Sequence, residues 1–131
     1  MEGVIQLGIT TQIEKELNLR IHRVTGVLTF EELLSTLKEL YSAPDFDPKM
    51  NSLWDLREAD VSSFETPDIQ NLRNYVGKHW GTGGRNKSAL VATRDIDFGL
   101  SRMYEFYLQA KSSSEVQVFR DYDEAYEWVT S

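Results

Sequence analysis

The chain has 131 residues, a formal net charge of −7, no cysteine and 40% hydrophobic residues. This length is typical of one domain, so we expect a single domain spanning residues 1–131. The missing cysteines exclude a disulfide scaffold, thiol catalysis and cysteine-ligated zinc. The acidic balance argues against a nucleic-acid partner, which would need a basic surface.

The sequence also indicates where the protein acts. Its first five residues lack a basic region followed by a long apolar run, so they predict no signal peptide. No stretch approaches the ~20 apolar residues that a membrane helix requires. We therefore expect a cytoplasmic protein without an integral membrane segment.

The N-terminal quarter of the chain predicts an antiparallel hairpin. Its strands are expected at roughly 4–10 and 15–24, with a turn in the polar stretch 10–14. Apolar and polar side chains alternate in the second strand, which predicts one buried face and one polar face. The apolar residues are Leu17, Leu19 and Ile21, and the polar ones are Asn18, Arg20 and His22.

Four helices are predicted from their start signals and apolar stripes. These signals are Thr29 with Glu32, Thr66 with Pro67, Asp95 or Asp97, and Asp121 with Glu124. Short apolar runs at 53–56, 88–92 and 116–119 predict buried strands between the helices. The resulting order is ββαβαβαβα, which implies an α/β fold. We expect a five-stranded mixed, mostly parallel sheet, with the N-terminal hairpin adding an antiparallel edge strand.

Several strings of this chain resemble the SpoIIAA-like, or STAS-like, small single-domain bacterial proteins. The strings are LWDLR at 53–57, SALVA at 88–92, GLSRMYE at 99–105 and VFRDYDEAYEW at 118–128. The resemblance extends over nearly the whole chain and implies a STAS-like fold related to anti-sigma-factor antagonists. The same broad fold group includes lipid-exchange domains, and most members of the small-protein branch have no assigned activity.

The chain departs from the regulatory members of this group at one motif. Anti-sigma-factor antagonists carry a phosphorylatable serine in an Asp-Ser-Ser-Gly-like string after the central strand. The corresponding stretch, 55–64, is longer and lacks the glycine. Ser62, Ser63 and Thr66 are the hydroxyl residues there that could still be modified.

Charged residues of both signs follow three of the predicted strands. They are Asp55 and Arg57, Arg94 and Asp95, and Arg120 and Asp121. Open parallel sheets bind ligands beyond the carboxyl ends of their strands, so these charges should gather at one rim. We interpret this strand-end rim, with Ser62, Ser63 and Thr66, as a candidate surface for a ligand or a protein partner. The alternative is structural: Asp95 and Asp121 cap helices, and the arginines pair with carboxylates.

Other patterns carry less weight. The glycine-rich stretch 81–88 resembles a phosphate loop, but Asn86 replaces the glycine before Lys87, and the stretch closes a helix instead of opening one. Residues 69–93 contain basic but no acidic side chains, which favours a solvated face over a surface for an anionic partner or headgroup. Neither His22 nor His79 has further ligands at metal spacing, so we expect no metal and no cofactor.

Three functional hypotheses follow. The first is a non-enzymatic regulatory or protein-interaction module, acting on a protein partner or as a homodimer. An exposed Phe106 or Tyr107 would suggest such a surface. The second is a carrier or sensor of a small apolar or amphipathic ligand, which would need a cavity of about 300 Å³ or more. The third is an enzyme using Asp55, Arg57 or Asp95, with a carboxyl pKa raised inside a cleft.

Overall fold

The structure, a computed structural model, describes residues 8–80, 86–109 and 115–131. The elements are β1 (Gly8–Glu14), β2 (Leu19–Val27), α1 (Phe30–Ser42), β3 (Asn51–Asp60), α2 (Thr66–Trp80), β4 (Lys87–Val91), α3 (Asp95–Gln109), β5 (Glu115–Phe119) and α4 (Tyr122–Thr130). A short 3-10 helix, Lys15–Leu17, joins the first two strands. The predicted order of strands and helices is confirmed.

The five strands form one sheet in the order β1-β2-β3-β4-β5. The first pair is antiparallel and the other three pairs are parallel, as the sequence predicts. Helix α4 packs on one face of the sheet, and α1, α2 and α3 pack on the other. The interior strands are therefore covered on both faces, which explains why β4 is buried almost throughout.

Each face of the sheet has its own apolar core. The smaller core joins Leu19, Leu53 and Val91 to Ala125 and Val129 of α4. The larger core lies under the three helices of the opposite face. Its fully buried members include Val24, Leu28, Leu37, Leu56, Phe64, Ile69, Leu72, Val76 and Val116. Of the two aromatic residues singled out on α3, Phe106 is 72% exposed, whereas Tyr107 packs against the larger core.

The turn of the N-terminal hairpin lies at a different position from the predicted one. Residues 4–7 of the expected first strand lie outside the described residues, and the stretch expected to turn, 10–14, is part of β1. The chain reverses at Lys15–Leu17 instead, where Asn18 adopts a left-handed backbone with φ 54°. Because β1 is the edge strand and mostly solvent-exposed, its polar residues are compatible with a strand.

Strand β3 is longer than predicted, and this changes where two of the predicted rim residues lie relative to the end of the strand. The apolar run at 53–56 is the centre of a ten-residue strand, Asn51–Asp60. The extension exists because the end of β2 continues to pair with it, from Thr25 opposite Glu58 to Val27 opposite Asp60. Asp55 and Arg57 therefore lie within the strand and do not close it.

The capping box at α1 is confirmed. The Glu32 amide donates to Thr29 Oγ1 at 3.2 Å, and the Thr29 amide donates to Glu32 Oε1 at 3.1 Å. At α4, Asp121 accepts a hydrogen bond from the Glu124 amide at 3.3 Å, as a capping residue does.

The starts of α2 and α3 differ from prediction by one position. Thr66, expected as the cap of α2, is its first helical residue, and the preceding Glu65 amide donates to Asp68 at 2.9 Å. Asp95 is likewise the first residue of α3, so the prediction that it caps this helix is wrong. The glycine-rich stretch 81–84 and the serine loop 112–114 lie outside the described residues.

Candidate functional site

The first group of rim charges is centred on Asp55, whose side chain is buried on the α4 face of the sheet. Arg57 lies two positions along the same strand, so both side chains emerge on the same face. Arg57 donates from Nε to Asp55 Oδ1 and from Nη2 to Asp55 Oδ2, both at 2.9 Å. Arg23 Nε of the neighbouring strand lies 3.3 Å from Oδ2. Asp55 is thus held by two arginines.

These contacts determine the charge state of Asp55. Burial by itself raises the pKa of the carboxyl, but the Arg57 hydrogen bonds and the charges of Arg57 and Arg23 outweigh it. The net effect is a pKa of Asp55 below its usual range, so the group is an anion at neutral pH. The Arg57 guanidinium also lies over the Tyr122 ring at 4.5 Å, which joins β3 to the start of α4.

The second group links β3 to α3. Arg94 Nε lies 3.2 Å from Asp97 Oδ2, and Arg94 Nη2 lies 3.5 Å from Asp60 Oδ1. Asp97 is buried and accepts the Val61 amide at 2.9 Å through its other oxygen. This group therefore fixes the chain just beyond β3 against the first turn of α3.

The third group lies beyond β4 and β5. Arg120 Nη1 is 3.0 Å from Asp95 Oδ1 and donates to the Thr93 carbonyl at 3.0 Å. Its guanidinium lies over the Phe98 ring at 4.1 Å. The predicted rim charges thus form three separate groups, and each arginine has a carboxylate partner within its own group.

The three candidate hydroxyl residues lie on the segment from β3 to the start of α2. Ser62 donates from its amide to Asp60 Oδ1 at 2.9 Å, and Ser63 donates to the Leu28 carbonyl at 3.5 Å. Thr66 Oγ1 lies 3.9 Å from the sulfur of Met103. All three residues are exposed, and Ser62 contacts Asp60 of the second group.

A second candidate site, which the sequence did not indicate, is a cavity of about 90 Å³ between the sheet and α1, α2 and α3. Most of its wall is apolar and belongs to the larger core. Representative apolar lining residues are Leu28, Leu37, Leu56, Phe64, Leu72 and Leu90. Four polar side chains, Arg20, His22, Ser52 and Ser88, line it from the sheet.

Strand register explains why three of these polar groups lie in a row. Arg20 is opposite Ser52 in the β2–β3 pair, and Ser52 is opposite Ser88 in the β3–β4 pair. All three residues are buried, and the two serine hydroxyl oxygens are 2.8 Å apart. The row lies near the amino ends of the parallel strands, at the opposite end of the sheet from the rim.

Arg20 is only 2% exposed. Its Nη1 donates to the Asp47 carbonyl at 3.3 Å, and its guanidinium lies over the Phe46 ring at 4.6 Å. Within the described part of the chain, Nε and Nη2 have no hydrogen-bond partner. Burial lowers the pKa of this guanidinium, and the nearby Tyr41 and Asp47 counteract part of that effect.

His22 lies one strand repeat further along β2 and is also buried. Its ring stacks on Trp54 at 4.1 Å, and its Nδ1 shares a 2.9 Å hydrogen bond with Thr11 Oγ1. Nε2 has no partner within the described residues. Burial, reinforced by the positive charge of Arg20, lowers the pKa of His22 to about 3. The imidazole is therefore neutral at physiological pH.

The positions of Arg20 and His22 correct the prediction of an exposed polar face. Alternation correctly places Leu19 on the face opposite Arg20 and His22, but both faces of β2 are buried there. The reason is topological: β2 is the second strand of a sheet whose two faces both carry helices. Alternation alone cannot distinguish a solvated polar face from one covered by helices.

Residues 8–80, 86–109 and 115–131 contain no group of three or more acidic or histidine side chains arranged to hold a metal ion. In the same ranges, no helix combines the length and apolar character needed to span a bilayer.

The chain is similar in structure to two proteins of known fold. One is an uncharacterised protein of the DUF3478 family with a SpoIIAA-like fold from Shewanella loihica PV-4. The TM-score is 0.59 at 19% identity, over 98% of this chain and 99% of that chain. The other is an antisigma-factor antagonist STAS domain from Rhodobacter sphaeroides, with a TM-score of 0.36 and 14% identity over 92% of each chain. No family model and no curated protein matches the chain. The SpoIIAA-like fold that the sequence resemblance implies is thus confirmed.

The buried His22 predicts a specific loss of stability in acid. Its pKa is about 3 in the folded chain, against 6.5 for an ordinary histidine, so the unfolded chain binds the additional proton between these values. Its contribution to stability is complete above pH 6.5 and decreases as the pH falls towards 3, by up to about 1.4 kcal/mol per pH unit.

Urea denaturation between pH 7 and 5 measures this contribution. The wild-type free energy of unfolding should decrease over this interval, and His22→Gln should remove most of the decrease. This interval lies above the range in which Asp55 titrates, so the two groups are separated. Equal slopes in wild type and variant would show that His22 is not held neutral by burial.

Proposed function

We propose that the chain is a non-enzymatic binding module of regulatory type, which holds a small amphipathic molecule in the cavity between the sheet and α1–α3. The observation that carries this proposal is Arg20, a buried cation that lines a largely apolar cavity and has two donor atoms without a partner among the described residues. Burying a charge without a partner is costly, so such a group is favoured where something else supplies the partner.

The size of the cavity restricts the ligand. About 90 Å³ is well below the roughly 300 Å³ expected for a carrier site, so a whole lipid molecule does not fit this conformation. A cavity of about 90 Å³ therefore admits only a small molecule. These dimensions favour a sensor of a small molecule over a lipid-exchange carrier.

The electrostatics of the rim support a non-enzymatic function. The enzyme hypothesis requires a carboxyl group whose pKa is raised inside a cleft. Asp55 instead has a lowered pKa, because Arg57 and Arg23 stabilise its charged form. Asp95, the other candidate carboxylate, is 94% exposed and pairs with Arg120. Neither group has the environment of a general acid or base.

Native mass spectrometry tests whether the cavity binds a ligand. The purified protein should carry the additional mass of a small molecule, well below that of a whole lipid. Leu72→Phe, which adds volume at the cavity wall, should reduce the bound fraction at least several-fold. Ile13→Phe makes a comparable addition at a half-exposed residue outside the cavity and should retain the ligand. A folded wild-type protein that carries no such mass, and takes up none from small amphipathic compounds, would contradict the proposal.

We propose in addition that the strand-end rim is the surface that contacts a protein partner or a second copy of the chain. The supporting observation is continuity with the cavity: Val61 and Phe64 line the cavity, and Asp97 of the rim accepts the Val61 amide. Arg94 and Arg120 are each half exposed at this surface. A change in cavity occupancy would therefore act directly on the chain that carries these charges.

Substitution of two rim arginines tests this surface. The double variant Arg57→Ala/Arg94→Ala should weaken self-association, or the affinity for a purified partner, at least tenfold because charge complementarity at the surface is lost. Analytical ultracentrifugation measures self-association, and calorimetry measures partner affinity. Arg102→Ala, on the outer side of α3, is the control. Unchanged association of a normally folded double variant would exclude the rim as the contact surface.

A further inference from the structure

The two unpartnered donors of Arg20 lie on one edge of its guanidinium. Nε–H and the adjacent N–H of Nη2 point in the same direction, and neither has a partner within the described residues. The opposite side of the group is already engaged, because Nη1 donates to the Asp47 carbonyl at 3.3 Å. The side chain that carries this edge lines the cavity and is 2% exposed. Unmet donors in such surroundings are costly, and those of a charged group are especially so.

A second arginine of this chain, Arg57, shows which group binds the Nε and Nη2 edge of a guanidinium. Arg57 uses Nε and Nη2 to hold the two oxygens of Asp55, both at 2.9 Å. This parallel pair of hydrogen bonds is the arrangement that a planar carboxylate forms with a planar guanidinium. Arg20 presents the same two donors in a buried position, but no carboxylate of the described residues pairs with them.

The charge inside the cavity favours a single negative charge on the ligand. Arg20 is the only cation among the described side chains that line it, since the buried His22 is neutral at physiological pH. No acidic side chain is among the lining residues described. A monoanion would neutralise Arg20, whereas a phosphate dianion would leave an uncompensated negative charge in apolar surroundings. The hydroxyls of Ser52 and Ser88 lie in the same row and add polar groups near the anion.

We infer that the cavity binds a short monocarboxylate, whose two oxygens accept hydrogen bonds from Nε and Nη2 of Arg20. Its apolar part lies among the leucine side chains of the cavity wall, which include Leu37, Leu56 and Leu72. The small volume restricts the ligand to a short-chain acid. This assignment rests on the proposed function, because it names the chemical class of the cavity ligand.

Calorimetric titration of the wild-type chain at pH 7 tests the carboxylate assignment directly. The probes are sodium hexanoate and hexanamide, which have the same number of non-hydrogen atoms and differ in charge. Hexanoate should bind with a dissociation constant below about 1 mM and at least about 30-fold more tightly than hexanamide. Acetate carries the same charged group without the apolar chain and should bind much more weakly.

Variants of Arg20 connect this preference to the proposed contact. Arg20→Met keeps most of the side-chain volume and should abolish the preference for hexanoate over hexanamide. Arg20→Lys keeps the charge but lacks the two-donor edge, so it should retain only part of the preference. Arg102→Met removes an exposed arginine of α3 that does not line the cavity, and its preference should equal that of wild type.

The possible results distinguish a failure of the carboxylate assignment from a failure of the proposed function on which it rests. If hexanamide binds the wild-type chain as tightly as hexanoate, the cavity is a ligand site but the carboxylate assignment is wrong. If the preference survives in a folded Arg20→Met variant, another group holds the anion and the assignment is also wrong. If neither probe binds and native mass spectrometry finds no bound molecule, the proposed function itself fails. The comparison of probes on the wild-type chain needs no variant, so misfolding of Arg20→Met would not prevent the test.

Discussion

The arrangement of this chain depends on a positive charge buried inside the sheet. Arg20 lies on β2, the second strand of the sheet, under the helices that cover this face. The surrounding structure provides one carbonyl, one aromatic ring and two serine hydroxyls in the same row. Asp47 lies near the charge, but no carboxylate of the described residues accepts a hydrogen bond from Nε or Nη2. The polar floor, the neutral His22 and the space under α1, α2 and α3 all adjoin this charge. A ligand that supplies the missing anion explains why a cation is placed there.

At the rim, by contrast, the arginines pair with carboxylates that belong to the chain itself. Asp55 is buried almost as deeply as Arg20, but two arginines hold it and keep its pKa low. Arg94 and Arg120 likewise have carboxylate partners. These contacts hold the strands against the starts of α3 and α4, so most of the rim charges stabilise the fold. The contrast with Arg20 separates charges that stabilise the fold from one that is available to a ligand.

The sequence predicted the order and type of the elements because those depend on local patterns. The Thr29 capping box and the apolar strands are recorded in short stretches of residues. Burial of Arg20 and His22 was not predictable in this way, because it depends on which helices cover β2. The true length of β3 likewise depends on its pairing with β2, which the sequence does not display. The cavity requires all of these contacts together, so no single motif indicates it.

The central claim is that the Nε and Nη2 edge of Arg20 holds the carboxylate of a cavity ligand. The most direct measurement is a titration of the ¹⁵N-labelled protein with hexanoate, followed through the Nε–H resonances of its arginines. The account predicts that the Arg20 Nε–H resonance moves downfield in a saturable way and exchanges more slowly with solvent, while that of Arg57, already paired with Asp55, stays in place. An Arg20 resonance that does not respond at saturating hexanoate would contradict the account.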